Sequence, residues 1–285
     1  MLIDFHTHTR ASDGVLTPQQ LLGRAVDAGV SMLAITDHDT VNGYLEVRDH
    51  DLTASGLQLV AGVELSCRWQ GVTIHVVGLG VDCEHAQMRY AMAVMDAART
   101  ERGALIAQRL AKCGFEGALE GALQEADGSQ LGRPHFAAWM VEQGHVVDHN
   151  AAFDRYLGQG KTGDVKSCWP DLAEVVGWIE DSGGASVLAH PYKYKFTGMK
   201  LRRLVMAFVA AGGSAIEIHS GRQTPEQITQ LQRLAREYDL EVSIGSDFHR
   251  DGPYAAPLGV ETPRHDGLRG VWQRWQSAPD EGVSS

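Results

Sequence analysis

The chain has 285 residues, with 25 Lys and Arg against 36 Asp and Glu for a formal net charge of −11, and its length suffices for one large core or two smaller ones. That balance excludes a broad electrostatic grip on a long polyanion, which is assembled from many Lys and Arg contacts to phosphate; a small phosphorylated ligand stays compatible once divalent cations add local positive charge. No apolar run nears the roughly 18 residues that span a bilayer, Met1 to His6 lacks the basic flank and long apolar stretch of a secretion signal, and Cys67, Cys83, Cys113 and Cys168 are scattered, so a cytoplasmic protein with reduced thiols is expected.

In chain order, short β-rich runs alternate with helical patterns. Leu2 to Phe5, Ser31 to Thr36, Leu57 to Val63 and Thr73 to Leu79 read as strands, in a βα rhythm that favours parallel pairing. Thr17-Pro18-Gln19-Gln20 supplies an N-cap, a first-turn proline and a capping-box glutamine, and Gly29 ends the helix that follows. From Glu84 to Lys166 the β-rich runs disappear. Ala-rich stretches at Tyr90 to Cys113, Pro134 to Gly144 and Asp148 to Leu157 predict helices instead, an inserted helical cap over residues 84–166. The rhythm then returns, with strands at Ala185 to Ala189, Ser214 to Ile218 and Glu241 to Ile244 and helices over Asp171 to Asp181, Gly198 to Ala211 and Pro225 to Tyr238. The expectation is an α/β protein in which residues 1–83 and 167–278 form a barrel-like body of about seven strands, followed by a frayed tail at 279–285.

Histidines and carboxylates recur where these runs end. Residues i and i+2 of a strand share a side, so His6 and His8 can face one cation, and Asp247 with His249 repeats the arrangement at the last strand. His38, Glu64, His75 and His190 fall at other strand ends, the face on which parallel βα barrels build active sites. Taken singly, each residue has an ordinary reading, such as a half-exposed strand or a hydrogen-bonded core histidine. Together they point to a multinuclear metal site, whose mixed imidazole and carboxylate donors suit Mn, Fe or Zn better than Ca.

The motifs Asp4-Phe5-His6-Thr7-His8, Thr36-Asp37-His38, Gly62-Val63-Glu64, His75, Ala189-His190-Pro191 and Ser246-Asp247-Phe248-His249 resemble those of the polymerase-and-histidinol-phosphatase (PHP) family of metal-dependent phosphoesterases. The resemblance implies a distorted (β/α)7 barrel holding three divalent ions. His6, His8, Glu64 and Asp247 would hold one, Glu64 would bridge to a second held by His75 and His190, and Asp13, His38 and His249 would hold the third; Asp13-Gly14 also reads as a simple turn. A pair of such ions shares and activates a water for attack on phosphorus, and Asp37, beside His38, either orients that ring or passes a proton.

Leu131-Gly132-Arg133-Pro134-His135-Phe136-Ala137 and Phe153-Asp154-Arg155-Tyr156-Leu157-Gly158 resemble the nucleotide-acting branch of that family. The implied substrates are nucleoside 3',5'-bisphosphates such as pAp, whose 3'-phosphate would be removed, or the 5' ends of short RNA; histidinol or sugar phosphates come third. The net charge ranks the small molecule first. A non-catalytic metal-binding module is opposed by the presence of every expected ligand. Arg133 is the leading phosphate-binding candidate, because a guanidinium forks onto phosphate. His135 either donates to phosphate or caps locally, and His219 and Arg222 follow a strand onto the catalytic rim. Lys161, His50, His85, His145, His149 and His265 are expected at the surface, and Trp169 in the core or stacked on a base. Stable binding of duplex nucleic acid or of a membrane is not expected.

Overall fold

A computed structural model describes residues 1–252, 255–263 and 267–276. The expected tail and His265 lie outside them. Strands β1 (Leu2–Asp4), β2 (Met32–Ile35), β3 (Gln58–Trp69), β4 (Val72–Leu79), β5 (Ala185–Leu188), β6 (Ala215–Ser220) and β7 (Glu241–Gly245) lie side by side in chain order, and β8 (Val260–Glu261) adds an antiparallel edge to β1. The circle closes beyond β1, where the Phe5 N–H donates to the Ile244 carbonyl at 3.1 Å and the Asp247 N–H to the His6 carbonyl at 2.8 Å. Closure needs a glycine at this seam, since a Cβ on Gly245 would stand 2.4 Å from the His6 Cβ.

The expectation of mainly parallel pairing fails in the middle of the sheet. β3 runs on past Val63 to Trp69, turns at Gln70 and Gly71, and returns as antiparallel β4, which also pairs antiparallel with β5. Both turn residues have positive φ, 48° and 73°, the backbone of a two-residue hairpin whose twist matches its strands. Glu64 therefore sits within β3, and His75 lies near the start of β4 yet on the same rim as the C-terminal ends of its neighbours.

Helices α1 (Pro18–Asp27), α2 (Asn42–Val47), α7 (Leu172–Asp181), α8 (Gly198–Ala210) and α9 (Pro225–Glu237) surround the sheet. The capping box of α1 forms as expected: Thr17 Oγ1 accepts from the Gln20 N–H at 3.2 Å and Gln20 Oε1 from the Thr17 N–H at 2.9 Å. Strand side chains such as Val63, Leu65, Ile74, Val187, Ile216 and Val242 join α7, α8 and α9 in the main apolar cluster.

Between β4 and α7 the chain is helical: α3 (Ala86–Ala111), α4 (Ala118–Ala126), α5 (Arg133–Glu142) and α6 (His149–Ala152), the last running into a π-helical turn over Phe153–Leu157. α3 buries Met88, Ala91, Met95 and Ala98 in the main cluster, then Ile106 and Leu110 in a second cluster with Phe136, Met140 and Leu157. Its apolar face recurs at three- and four-residue steps, so one rigid helix ties both clusters together. Among the described residues no helix is long and apolar enough to cross a membrane.

Candidate metal centre

Glu64 is fully buried at the centre of a ring of imidazoles. Its Oε2 faces His38 Nδ1 at 2.9 Å, His6 Nε2 at 3.3 Å and His8 Nε2 at 3.4 Å, while its Oε1 faces His75 Nδ1 at 2.9 Å and His190 Nε2 at 2.8 Å. Asp247 Oδ1 lies 3.3 Å from His8 Nε2 and 3.7 Å from His6 Nε2. Asp13 completes a neighbouring group, with Oδ1 3.3 Å from His249 Nε2 and Oδ2 3.9 Å from His38 Nε2. All nine expected ligands are thus gathered in one place. His8, Asp13, His38 and His249 offer atoms within 4.8 Å of one another, as do His6, His8 and Glu64, then His6, His190 and Asp247, and finally His38, Glu64 and His75.

This donor set fits divalent cations. Among the described residues His6 Nε2, His8 Nε2, Asp13 Oδ1 and Glu64 Oε2 find no hydrogen-bond partner though buried, a costly state for a polar atom unless something else satisfies it. Burial, reinforced by neighbouring His249 and His38, holds His8 well below the usual imidazole range. His75 and His190 are pushed down to about 4, chiefly by burial, so all three are neutral near pH 7, the form that ligates metal. Burial alone would raise the carboxyl of Glu64, but the surrounding His38, His6 and His75 drive it well below the ordinary range.

Backbone strain concentrates here. His190 takes φ 29° and ψ 61° although it precedes Pro191, where extended backbone is the rule, and Asp247 has φ 54°. The strained turn is held by Tyr194, whose hydroxyl donates to the Ala189 carbonyl at 2.9 Å and accepts from the His75 N–H at 2.9 Å.

Supporting carboxylates complete the arrangement. Glu217, 2% exposed, lies 2.9 Å from His6 Nδ1 through Oε1, and its Oε2 accepts from the His190 N–H at 2.6 Å. A carboxylate on the far nitrogen fixes a ligand histidine's tautomer and orientation. The sequence expectation missed Glu217; its signal was a lone charge inside the apolar run Ala215-Ile216-Glu217-Ile218. Asp4 accepts the N–H groups of Ser246 and Gly259, each at 2.8 Å, and so pins β1 to the segment that carries Asp247.

Asp37 does not orient His38. Its Oδ1 accepts from the Thr9 N–H at 2.7 Å and the Ser12 hydroxyl at 2.6 Å, and its Oδ2 from the Thr9 hydroxyl at 2.6 Å. Adjacent residues of an extended segment point to opposite sides, so Asp37 braces the loop that carries Asp13 while His38 faces the centre.

Over the centre lies a cavity of about 240 Å³ whose lining includes His38, His75, His190, Asp247 and His249 together with three cations, Arg133, Lys166 and Lys193. A smaller space of about 60 Å³ opens from the same ligands into the helical segment, lined by Arg99, Arg102, Arg133 and Trp169 beside Asp13, His38 and His75. Arg99 pairs with buried Asp39 at 2.7 Å through Nε and donates to the Leu131 carbonyl at 2.9 Å, while Arg133 donates to the Leu157 carbonyl at 3.0 Å. Arg102 donates to the Val165 carbonyl at 3.0 Å and lies 5.0 Å above the Trp169 ring. Burial, then Arg133 and Arg99, pull Arg102 down to about 9. Trp169 Nε1 is buried without a partner. Lys166, Lys193, Arg99 and Arg102 were not among the expected site residues: the lysines stand singly on separate segments, and Arg99 and Arg102, three apart on α3, read as an ordinary charged face of a helix.

Other expectations need correction. His135 serves α5 rather than a ligand: its Nδ1 accepts from the Gly132 N–H at 3.0 Å and its Nε2 lies 3.3 Å from the Ser129 hydroxyl. Arg222 stays beside the rim, lining a cavity that shares Lys193 and Asp247 with the one over the ligands, whereas His219 lines neither space over the ligands. His145 is exposed, as expected, with one face of its ring against Phe115 and Trp139. Trp169 is a buried platform for arginines.

A family model described as the PHP domain matches residues 4–177. The chain is 43% identical over 278 residues to the 5'-3' exoribonuclease Rnm of Salmonella typhimurium, covering 97% of this chain and 94% of that one. It is 34% identical to the 3',5'-nucleoside bisphosphate phosphatase of Chromobacterium violaceum, covering 96% of each. A solved structure described as an amidohydrolase from Chromobacterium violaceum, with bound sulfate, superposes with a TM-score of 0.85 at 34% identity over 95% of each chain. With imidazoles and carboxylates gathered on one barrel rim and a family match running along more than half of its length, the chain belongs to the PHP-domain family and is a metal-dependent phosphoesterase of that type.

Proposed function

We propose that this protein hydrolyses the phosphoester bond on the 3'-oxygen of a 5'-phosphorylated nucleotide, working as a 5'-to-3' exoribonuclease on short RNA, with bisphosphates such as pAp as its smallest substrates. The observation that carries this reading is the buried group of Arg99, Arg102 and Arg133, which opens directly onto Asp13, His38 and His75. Among the described residues Arg102, 7% exposed, has no carboxylate as a hydrogen-bond partner, an arrangement that favours an arriving anion. A terminal 5'-phosphate is the group that fits it. Higher identity to the exoribonuclease than to the bisphosphate phosphatase supports RNA as the principal substrate, ahead of the ranking that net charge suggests.

His6, His8, Glu64 and Asp247 would hold one divalent ion, Glu64, His75 and His190 a second, and Asp13, His38 and His249 a third, with Mn the ion this donor set suits best and Fe or Zn as substitutes. When bound, such ions activate water and neutralise charge that builds on phosphate oxygens. The protein's own residues do the rest. Glu217 holds the His6 ring, the arginines fix the 5'-phosphate, and Lys193 and Lys166 flank the phosphate at the centre. Water adds to phosphorus, the bond to the 3'-oxygen breaks, and that oxygen takes up a proton. The products are a 5'-mononucleotide and either inorganic phosphate or an RNA shortened by one nucleotide that again carries a 5'-phosphate, ready for the next cycle.

In this reading residues 84–166 act as a cap that selects the substrate above a barrel that performs the chemistry, and the protein works in the cytoplasm beside its nucleotides. Rates of the purified Mn-loaded protein on pAp, 3'-AMP, histidinol phosphate and 5'-phosphorylated and 5'-hydroxyl RNA of two to five nucleotides test it. Preferred cleavage of 5'-phosphorylated RNA and of pAp over 3'-AMP is expected, and equal rates with and without the 5'-phosphate refute it.

A further inference from the structure

A third cavity, of about 360 Å³, adjoins the cavity over the metal centre; Lys193 and Asp247 line both. Its walls come from the end of β6, the loop after it, and the turn that follows His190. Tyr192, Ser220, Arg222 and Gln227 face it, so two cations and several neutral polar groups meet one carboxylate, that of Asp247, which is already paired with Lys193. Ser220 is 5% exposed, and its Oγ is buried without a hydrogen-bond partner among the described residues. A hydroxyl left unsatisfied beside an arginine and a lysine is the donor set of an anion site lacking its anion.

We propose that this cavity binds the phosphodiester one nucleotide downstream of the bond being cut. The inference rests on the exoribonuclease reading above. In an RNA held by its 5'-phosphate in the arginine group, the phosphorus at the metal centre stays attached to the second nucleotide through that nucleotide's 5'-oxygen. A way out for the chain runs past Lys193, which the cavity over the centre shares with the cavity of Ser220 and Arg222. The next phosphate along the chain meets the Ser220 hydroxyl and the Arg222 guanidinium there. A bisphosphate has no such phosphate, and neither has a 5'-phosphorylated dinucleotide; a trinucleotide is the shortest RNA that has one.

The test compares the first cleavage of pApA and pApApA by the Mn-loaded enzyme and by its Ser220→Ala and Arg222→Gln variants, with pAp as a control. The unaltered enzyme is expected to show a kcat/KM about tenfold higher on the trinucleotide than on the dinucleotide, in line with one or two charge-assisted hydrogen bonds, and each variant is expected to bring that ratio close to one. Arg222 lies on an exposed loop, so its variant keeps the test usable even where Ser220→Ala disturbs folding. Absence of the trinucleotide preference, or its survival in both variants while both RNAs are cut, overturns the downstream site alone. Failure to cut either RNA while pAp is hydrolysed overturns the exoribonuclease reading, and this inference with it.

Discussion

Replacing Arg102 by Met should make the free protein more stable and its catalysis worse, a pairing that only a ligand-directed arginine produces. The side chain is 7% exposed, with a 3.0 Å hydrogen bond from Nε to the Val165 carbonyl and a guanidinium 5.0 Å from the Trp169 ring centroid. Burial, with Arg133 and Arg99 beside it, pulls the group down to about 9. At about 1.4 kcal/mol per pH unit, a fall of that size sets roughly 5 kcal/mol against the charged form. Met keeps the length and still packs on Trp169, while losing about 2 kcal/mol of charged hydrogen bond and about 1 kcal/mol of cation–π attraction. The balance is a gain of about 2 kcal/mol, or roughly 4–8 °C in Tm. The same change removes a donor from the 5'-phosphate, so kcat/KM on pAp should fall about a hundredfold, with far less effect on 3'-AMP, which lacks that phosphate. Thermal melts and steady-state rates on the two substrates decide the matter. A lower Tm with an unchanged ratio of pAp to 3'-AMP activity would mean that Arg102 is a packing residue and that the arginine group is not the phosphate site.

Three further outcomes are expected. Glu64→Gln removes the negative charge at the centre of the ring of imidazoles; activity should fall by about a thousandfold or more and metal content, measured by mass spectrometry, should drop, whereas a fully active, fully loaded variant would remove Glu64 from the bridging role. Glu217→Gln should weaken metal affinity about 10–100-fold by loosening His6, with activity recovered as added Mn is raised; a loss that no metal concentration restores would contradict a positioning role. His135→Ala removes the side-chain bond at the start of α5 and should cost about 1 kcal/mol in a denaturant titration while leaving the KM for pAp nearly unchanged; a large rise in KM would return His135 to the substrate.

Periodicity and local composition made most of the fold readable. Seven of the strands and the helices α1, α3, α5, α7, α8 and α9 fall within a few residues of the runs that predict them, because each run states its own burial pattern. The two-residue strand β8, the short α2 and α4, and the antiparallel course of β4 were not readable. A Gln-Gly turn looks like any other loop until the partner strands are known, and strand direction is a property of pairing rather than of composition.

The candidate metal ligands were legible for a related reason. Histidine and carboxylate at the ends of apolar runs have few cheaper explanations when several occur together, so His6, His8, His38, Glu64, His75, His190, Asp247 and His249 announce a shared purpose by type and position alone. The sequence by itself thus determined which candidate ligands gather, the barrel and the class of chemistry. Tertiary structure decided what those groups lean on and what stands over them: Glu217 behind His6, Asp37 turned toward Thr9 and Ser12, His135 spent on a helix start, and Arg99, Arg102 and Arg133 converging from two helices above Trp169. Apart from the local contact of His135, these join side chains far apart in the chain. Their energies come from distance, burial and unshared hydrogen bonds, none of which exists until the chain has folded.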